Sequence, residues 1–210
     1  MRTNSESELI ELTELYPYIL PETPGVPVPL LEQEVLNVLR DFCDRTGAWR
    51  YILDRFNRVA DQQEYTIDEW PEGARLKMIE RVTTYDVEST DTDYTGTDSS
   101  LNDIKLDIDR QILIFLKKPE EDAVLAYEVE VSLLPGRTLT EVPTEFFDEY
   151  YSTLAKGVKA ALMRMPGKRC TSPERGLQLE SDYRLERGTV IETVKSQRHD
   201  QVNRPNKGLL

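Results

Sequence analysis

Apolar residues recur at steps of three and four in the segment that begins at Leu30. The stripe consists of Leu31, Val35, Val38, Leu39 and Phe42. Because residues three and four apart share one face of an α-helix, this spacing predicts an amphipathic helix. Three prolines precede the stripe and favour an extended leader, and Gly47 is typical of a helix C-terminus. We therefore predict a helix within residues 30–48 and an extended N-terminal arm over residues 1–29.

A second apolar stripe lies between Val142 and Gly167. Its members are Phe147, Tyr150, Tyr151, Leu154, Val158, Ala161, Leu162 and Met165. Thr144 is a candidate N-cap, acidic residues fill the first turns, and Lys168 and Arg169 follow the last turn. This order of charges complements the helix dipole. The two stripes therefore predict two long helices that pack on each other.

The segment between these helices, residues 49–141, has the pattern of β-strands. Runs rich in β-branched and aromatic residues lie at 49–54, 64–67, 74–87, 105–109, 111–116 and 124–134. Residues 119–122 are predicted to join the last two runs as a hairpin, and residues 88–103 to form an exposed loop. In the last run, apolar residues alternate with Glu128, Glu130 and Ser132, which predicts an antiparallel strand with one buried and one wet face.

Both ends of the chain are polar. Residues 1–23 place glutamates among leucines, and a short helix and a frayed terminus are both open alternatives there. A narrow stripe predicts a third helix from Glu174 to about residue 195, either exposed or in contact with another subunit. Residues 197–210 are predicted to be a short basic tail, because three cationic residues outnumber Asp200, and a disordered terminus is the open alternative.

These elements together predict an α+β fold. Residues 30–48 and 142–196 would form a helical hub of two to three long helices. Residues 49–141 would form an inserted antiparallel β-rich lobe, and extended arms would lie at both termini. Two helices of an ordinary α+β core are fully compatible with the same pattern, which by itself favours that simpler interpretation.

Composition limits the possible partners. The 210 residues carry a net charge of −13, with 39% apolar and 31% charged residues. An acidic surface repels phosphate, which argues against wrapping duplex DNA but allows a wall along which DNA slides. The longest apolar run, Ile112–Leu116, is strand-sized, so we expect neither a membrane span nor a signal peptide, and a soluble cytosolic product.

Residues that usually carry catalysis are scarce. His199 is the single histidine, and no glycine-rich phosphate loop occurs. Cys43 and Cys170 lack metal-site spacing, and the aspartates of residues 88–103 fit no established calcium loop. We therefore predict no enzyme activity, no cofactor and no metal site. The alternative from another class is a carbohydrate- or nucleotide-processing enzyme that uses carboxylates of the β lobe.

Three sequence blocks in a fixed order carry a family resemblance. They are LPETPGVPVPLLEQEVLNVLRDFCDRTGAWR, EYTIDEWPEGARLKMIERV and VPTEFFDEYYSTLAKGVKAALMRMPGKRCTSPERG, all within residues 18–176. Together they resemble the head-to-tail adaptor proteins of tailed bacteriophages. They are similar to the adaptors of short-tailed phages and of prophages, and to the tail tubular protein A type of connector.

The resemblance implies a structural protein of the virion neck or tail, assembled in the host cytoplasm. Such adaptors form a ring of about twelve copies under the portal and line the DNA exit channel. The implied partners are the portal protein, a tail tube or nozzle protein, and further copies of this chain. DNA would pass through without sequence-specific binding, and no membrane is implied.

The same resemblance assigns roles to two groups of residues. The portal-binding residues would be Arg198, His199, Arg204, Lys207, Leu209 and Leu210. The subunit-packing residues would be Leu31, Val35, Leu39, Phe42, Tyr150, Leu154, Val158 and Leu162. Within this setting the alternative is a tail-tube or tail-completion component that contacts other tail proteins rather than the portal.

Overall fold

The structure is a computed structural model that describes residues 3, 7–67, 70–85, 96–98, 104–108, 110–120 and 122–202. It is a mixed α+β fold of helices and antiparallel sheets. The chain divides into two compact units. The β unit comprises Met1–Glu8 and Trp49–Leu139, and the helical unit comprises Leu9–Ala48 and Thr140–Leu210.

The described residues form three α-helices, one 3-10 helix and ten strands. The strands are β1 (Leu9–Glu11), β2 (Arg50–Ile52), β3 (Phe56–Arg58), β4 (Glu64–Thr66), β5 (Ala74–Tyr85), β6 (Gly96–Asp98), β7 (Ile104–Asp107), β8 (Ile112–Phe115), β9 (Ala123–Pro135) and β10 (Glu141–Pro143). The helices are α1 (Val28–Thr46), α2 (Thr144–Arg164) and α3 (Pro173–Val202), and the 3-10 helix spans Leu12–Tyr18.

Helix α1 begins and ends at the predicted sequence signals. Pro29 lies in its first turn, where a missing N–H removes no helical hydrogen bond, and Gly47 ends it with a left-handed φ of 62°. The apolar stripe faces α2, where the Phe42 ring centroid lies 5.1 Å from that of Tyr150 and 6.3 Å from that of Phe146. Phe42 contacts Phe146 and Tyr150 early in α2, whereas Val38, one turn earlier in α1, lies beside Gly157 further along α2, so the two helices run antiparallel.

Helix α2 begins at a different residue from the one predicted. Pro143 occupies the N-cap position with extended backbone angles, and Thr144 is already helical. Thr144 is therefore not the N-cap, because the fixed φ of the proline ring sets the start of the helix one residue earlier. Glu145 in the first turn and Arg164 in the last complement the helix dipole as predicted.

The N-terminal segment is not the extended arm that its prolines predict. Strand β1 pairs antiparallel with β10, with Glu11 opposite Glu141. The 3-10 helix then buries Leu12 and Leu15, and Ile19 just after it is also buried. Removing apolar side chains from water stabilises the fold. The buried apolar residues of this segment therefore belong to the core of the helical unit.

Helix α3 is longer than its stripe predicts. It reaches Val202 rather than residue 195, so residues 197–202 are helical and the predicted tail begins too early. The sequence holds no proline between Pro173 and Pro205, and nothing therefore stops the helix sooner. Residues 203–210 lie outside the described part of the chain.

The β unit contains two antiparallel sheets. One has the strand order β2-β9-β5-β6, with β3 also paired to β9, and the other has the order β4-β8-β7. The predicted hairpin between residues 111–116 and 124–134 is wrong, because β8 and β9 lie in different sheets. The connection between them is too long for a tight turn. The hairpin forms between β7 and β8 instead, with Gln111 at a left-handed φ of 57°.

Strand β9 is central in its sheet and is buried on both faces. Val129 and Val131 are fully buried as predicted, but Glu130 and Ser132 are buried too. The prediction of a wet face is therefore wrong. Glu130 can be buried because its carboxylate forms an ion pair with Arg50 at 3.2 Å.

Aromatic side chains join the two sheets of the β unit. Phe56 and Tyr127 from one sheet meet Tyr65 and Phe115 from the other, with ring centroids 4.5 to 5.6 Å apart. Burial, with the neighbouring Tyr65, raises the pKa of Tyr127 to about 12. Edge-to-face and offset contacts of this kind are favourable beyond the area they bury. The cluster is therefore the core of this unit.

Candidate functional site

Chemistry-bearing side chains are dispersed in the described part of the chain. Within that part, no group of three or more His, Cys, Asp or Glu side chains could hold a metal ion. Of the aspartate-rich segment 88–103, residues 96–98 form β6, whereas Asp91, Asp93 and Asp103 lie outside the described residues. The features that point to function are two surfaces of the helical unit.

The first surface is a groove of about 490 Å³ where α1, α2 and α3 meet. It is lined by Asp41, Arg45, Gly157, Ala160, Ala161, Arg164, Glu180, Tyr183, Arg184 and Arg187. Four arginines against two carboxylates give it a positive formal charge, in a chain whose net charge is −13. We call it the arginine groove.

Asp41 fastens α3 to α1 within this groove. Its carboxylate accepts hydrogen bonds from the Tyr183 hydroxyl at 3.2 Å, from Arg187, and from Arg45 Nε at 2.6 Å. Burial alone would raise the pKa of Asp41, but the hydrogen bond from Arg45 and the charge of Arg187 outweigh burial and lower it. The Arg187 guanidinium also lies 5.1 Å from the centroid of the Tyr183 ring. Asp41 is therefore a charged acceptor shared by two helices.

Two glutamates fasten α3 to α2. The pairs are Glu180 with Arg164 and Arg184, and Glu186 with Lys156 and Thr153. Apolar contacts between these helices include the buried cluster of Ala160, Met163 and Leu179 and the Tyr183 ring beside Gly157. The polar pairs add to these contacts and position α3 and its arginines along the groove.

Gly157 lets α3 approach α2 closely. A Cβ at this position would lie 2.7 Å from Val38 Cγ1 and 3.1 Å from carbons of the Tyr183 ring. Only a hydrogen fits there, and Tyr183 is consequently buried between α1 and α2. Burial and the neighbouring Asp41 charge raise the pKa of Tyr183. The tyrosine therefore stays neutral, and its hydroxyl donates a hydrogen bond to Asp41.

The arginines of the groove differ in exposure. Arg184 is 67% and Arg45 58% exposed, and Arg164 is about half exposed, whereas Arg187 is mostly buried. A guanidinium has five N–H donors in a planar fork that matches carboxylate and phosphate. The three exposed arginines can therefore bind an anionic partner, while Arg187 holds the helices together.

The second surface lies on another side of α2. The Tyr18 ring centroid is 4.6 Å from that of Tyr151, and Tyr18 is about half exposed. Exposed carboxylates lie on the neighbouring elements: Glu14 precedes Tyr18 on the 3-10 helix, Asp148 lies one turn before Tyr151 on α2, and Glu11 of β1 pairs opposite Glu141 of β10. We call the set of Glu11, Glu14, Tyr18, Glu141, Asp148 and Tyr151 the acidic face. At 100° per residue, Tyr151 and Arg164 project roughly 140° apart around the axis of α2.

The β unit holds its charges inside. Arg50 and Glu130 are 2% and 3% exposed, and Arg81 Nε lies 3.7 Å from the second Glu130 oxygen. Buried charges of this kind are tolerated only when they are paired. Because Arg50 and Glu130 are closed to solvent and Arg81 is only partly exposed, we assign this cluster to the stability of the unit.

The eight predicted subunit-packing residues are buried inside the helical unit. Leu31, Val35, Leu39, Phe42, Tyr150, Leu154, Val158 and Leu162 are each 6% exposed or less. The stripe of α1 faces α2 of the same chain, so a second copy cannot reach these side chains. We correct the prediction accordingly and assign them to the core.

The predicted portal-binding residues are only partly described. Arg198 and His199 lie in the last turns of α3. Arg204, Lys207, Leu209 and Leu210 lie outside the described residues. Contact between this segment and a portal therefore stays a prediction.

Sequence patterns did not indicate the arginine groove. Its arginines come from three helices that are distant in the chain, and only the fold brings them together. The available signal was the spacing of Glu180 and Arg184 on α3, four residues apart. That spacing is typical of a solvated helix face, so by itself it does not predict a binding surface.

Comparison with known proteins leaves the family open. No protein-family model matches the chain, and no curated protein matches it either. No helix within the described ranges is long and apolar enough to cross a membrane. Function is therefore inferred from the surfaces of the helical unit and from the sequence resemblance.

Proposed function

We propose that this chain is a structural virion protein, a head-to-tail adaptor that forms a ring between portal and tail and lines the DNA exit channel. In this proposal the helices form the hub of the ring and the β unit is an inserted lobe. The protein acts by binding its neighbours rather than by catalysis. The three resembling sequence blocks and the surfaces of the helical unit support this function.

The observation that carries the proposal is the surface of α3. Of the described side chains of this 30-residue helix, the buried apolar ones are Leu179, Tyr183 and Val194, whereas Leu177 and Leu185 are 58% and 74% exposed. The helix is about 45 Å long at 1.5 Å per residue. We infer that another protein covers the side of this long helix that carries the exposed leucines.

The C-terminal end of α3 supports contact with a second protein. Glu186 of α3 bonds Lys156 and Thr153 of α2, and the two helices run antiparallel, so residue numbers increase along α3 where they decrease along α2. Eleven residues after Glu186, residue 197 therefore lies beside Thr144, the first residue of α2. Residues 197–202 therefore extend beyond α2, at the end of the chain that the resemblance assigns to the portal.

Two truncated chains test this function. One ends at residue 196 and loses the projecting turns, and the matched control ends at residue 202 and keeps α3 complete. Each is added to portal-bearing heads that lack the adaptor, and joined particles are counted by electron microscopy. We expect the chain ending at residue 196 to lose joining and the longer chain to retain part of it.

Three results would count against the proposal. Undiminished joining by the chain that ends at residue 196 would remove α3 as the portal contact. A full-length chain that binds no portal would exclude the adaptor function. Cross-links that reach tail proteins only would favour a tail-tube or tail-completion component.

A further inference from the structure

We infer that the arginine groove of one copy binds the acidic face of the next copy, so that copies associate head to tail through these two surfaces. The inference rests on the proposed function, because it names the surfaces that join neighbouring copies of the ring. The eight buried stripe residues cannot do so, since they are core residues of each copy.

Charge is the first argument for this pairing. Copies with a net charge of −13 repel one another, so a stable contact must place cations opposite carboxylates. The groove supplies Arg45, Arg164 and Arg184 at its exposed positions. The acidic face supplies four exposed carboxylates and two tyrosine rings. Guanidinium groups bind carboxylates through paired hydrogen bonds and also stack on aromatic rings, so the two surfaces match in chemistry.

Geometry is the second argument. Tyr151 on the acidic face and Arg164 in the groove project from α2 roughly 140° apart at 100° per residue, so the two surfaces of one unit cannot meet each other. A contact between two different patches repeats from copy to copy and can close into a ring. Two grooves facing each other would instead bring arginine against arginine, which disfavours a two-fold dimer through this surface.

A phosphate backbone is the competing occupant of an arginine-lined groove. Asp41 and Glu180 line the same groove, and the whole chain repels polyanions. A second copy of this chain also has a net negative charge. It can nevertheless place both its carboxylates and its tyrosine rings against the arginines of the groove. We therefore favour the second copy, and nucleic acid is an outcome of the test.

Two charge reversals on the full-length chain test the pairing. Arg184→Glu changes the groove, and Arg164 still pairs with Glu180 in that variant. Glu14→Arg changes the acidic face. The matched control is Arg110→Glu, which reverses an exposed arginine of the β unit whose partner is Asp107. Thermal unfolding checks that each variant is folded, and sedimentation velocity up to about 1 mM measures self-association at concentrations that populate weak complexes.

We expect the wild-type chain and the control to form oligomers and each single reversal to weaken association about tenfold or more. A mixture of the two single variants is the sharper experiment. Each variant keeps one intact surface, so the mixture associates through the intact groove of one variant and the intact acidic face of the other. If Arg184 and Glu14 do not meet directly, association stops at a 1:1 dimer; if they do, the swapped charges also pair, and both the mixture and the double variant form larger oligomers.

Three outcomes overturn the inference. These are a wild-type chain that stays monomeric at the highest concentration, single reversals that associate like the control, and a mixture that does not associate. Binding of a short DNA duplex by the wild-type chain, lost in Arg184→Glu, would assign the groove to phosphate. The particle-joining assay of the truncated chains decides the adaptor function separately, so the two failures are distinguishable.

Discussion

The hydroxyl of Tyr183 donates a hydrogen bond to the carboxylate of Asp41 at 3.2 Å and thereby joins α3 to α1. Tyr183 reaches this position because Gly157 on α2 leaves room for its ring. Arg187 bonds the same carboxylate one turn further along α3. Apolar packing of Ala160, Met163 and Leu179 and these polar contacts therefore hold the long helix in place.

Removing the charge of Asp41 should loosen α3. Asp41→Asn keeps the shape of the side chain but weakens its bonds to Tyr183, Arg45 and Arg187. Because Asp41 is partly exposed, we expect a loss of about 1 kcal/mol in the free energy of unfolding. Urea unfolding followed by circular dichroism at the helical band measures this loss. Asp44→Asn is the matched control on an exposed position of α1, and an equal loss there would contradict the assignment.

Acid should weaken the helical unit through two carboxylates. The hydrogen bond from Lys159 lowers the pKa of Glu22, and bonds from arginines lower that of Asp41. As the pH falls, the unfolded chain therefore binds protons first, near the ordinary values of 4.5 and 3.8. The stability these groups contribute is present above those values and is lost as the pH drops through the lower folded-state pKa values.

Melting temperatures from pH 7 to pH 3 of the wild type and of Glu22→Gln/Asp41→Asn check this effect. The variant should be less stable at pH 7, and the two curves should converge toward pH 3. A constant gap between them would show that the carboxylates stabilise the unit without a change in pKa.

Replacing each of two helical glycines by alanine should change the free energy of unfolding in opposite directions. Gly157→Ala places a Cβ against Val38 and Tyr183, so overpacking should exceed the gain in helix propensity and cost about 1–2 kcal/mol. Gly188→Ala on α3 meets no heavy atom within 4 Å and should stabilise by about 0.5–1 kcal/mol. Urea unfolding of both variants checks the pair. Stabilisation by Gly157→Ala would mean that the Tyr183 ring is not held against α2.

The helices and most strands could be predicted from the sequence because their signals are local. The stripe of α1 and its terminal Gly47 depend only on residues a few positions apart, and so do the strands that become β5 and β9. The hairpin prediction failed because partner choice between strands is not local: β8 pairs with β4 and β7 rather than with its neighbour β9.

The arginine groove could not be predicted from local sequence patterns for a related reason. Arg45, Arg164 and Arg184 lie on three helices, and each has the spacing of an ordinary surface charge. The burial of Glu130 was also mispredicted. Its alternation with valines is typical of a solvated strand face, but Arg50, which is distant in the chain, pairs with it inside the sheet. Whether a polar residue is buried can be predicted only when its hydrogen-bond or charge partner is known.

The ion pair of Glu130 with Arg50 should be the most sensitive point of the β unit. Glu130→Gln leaves two arginines, Arg50 and Arg81, beside a neutral amide in a site closed to solvent, so we expect a loss of about 3–5 kcal/mol. Glu128→Gln on the same strand is the matched control. Its partner Arg55 is partly exposed, and the loss should be about 1 kcal/mol or less.

Both tryptophans, Trp49 and Trp70, belong to the β unit, so tryptophan fluorescence during urea unfolding reports this unit separately from the helices. Replacing both charges in Arg50→Met/Glu130→Met should recover much of the loss, because an apolar pair of similar size needs no desolvated partner. If the double variant is no more stable than Glu130→Gln, the site requires the ion pair for its packing geometry and not only for charge balance.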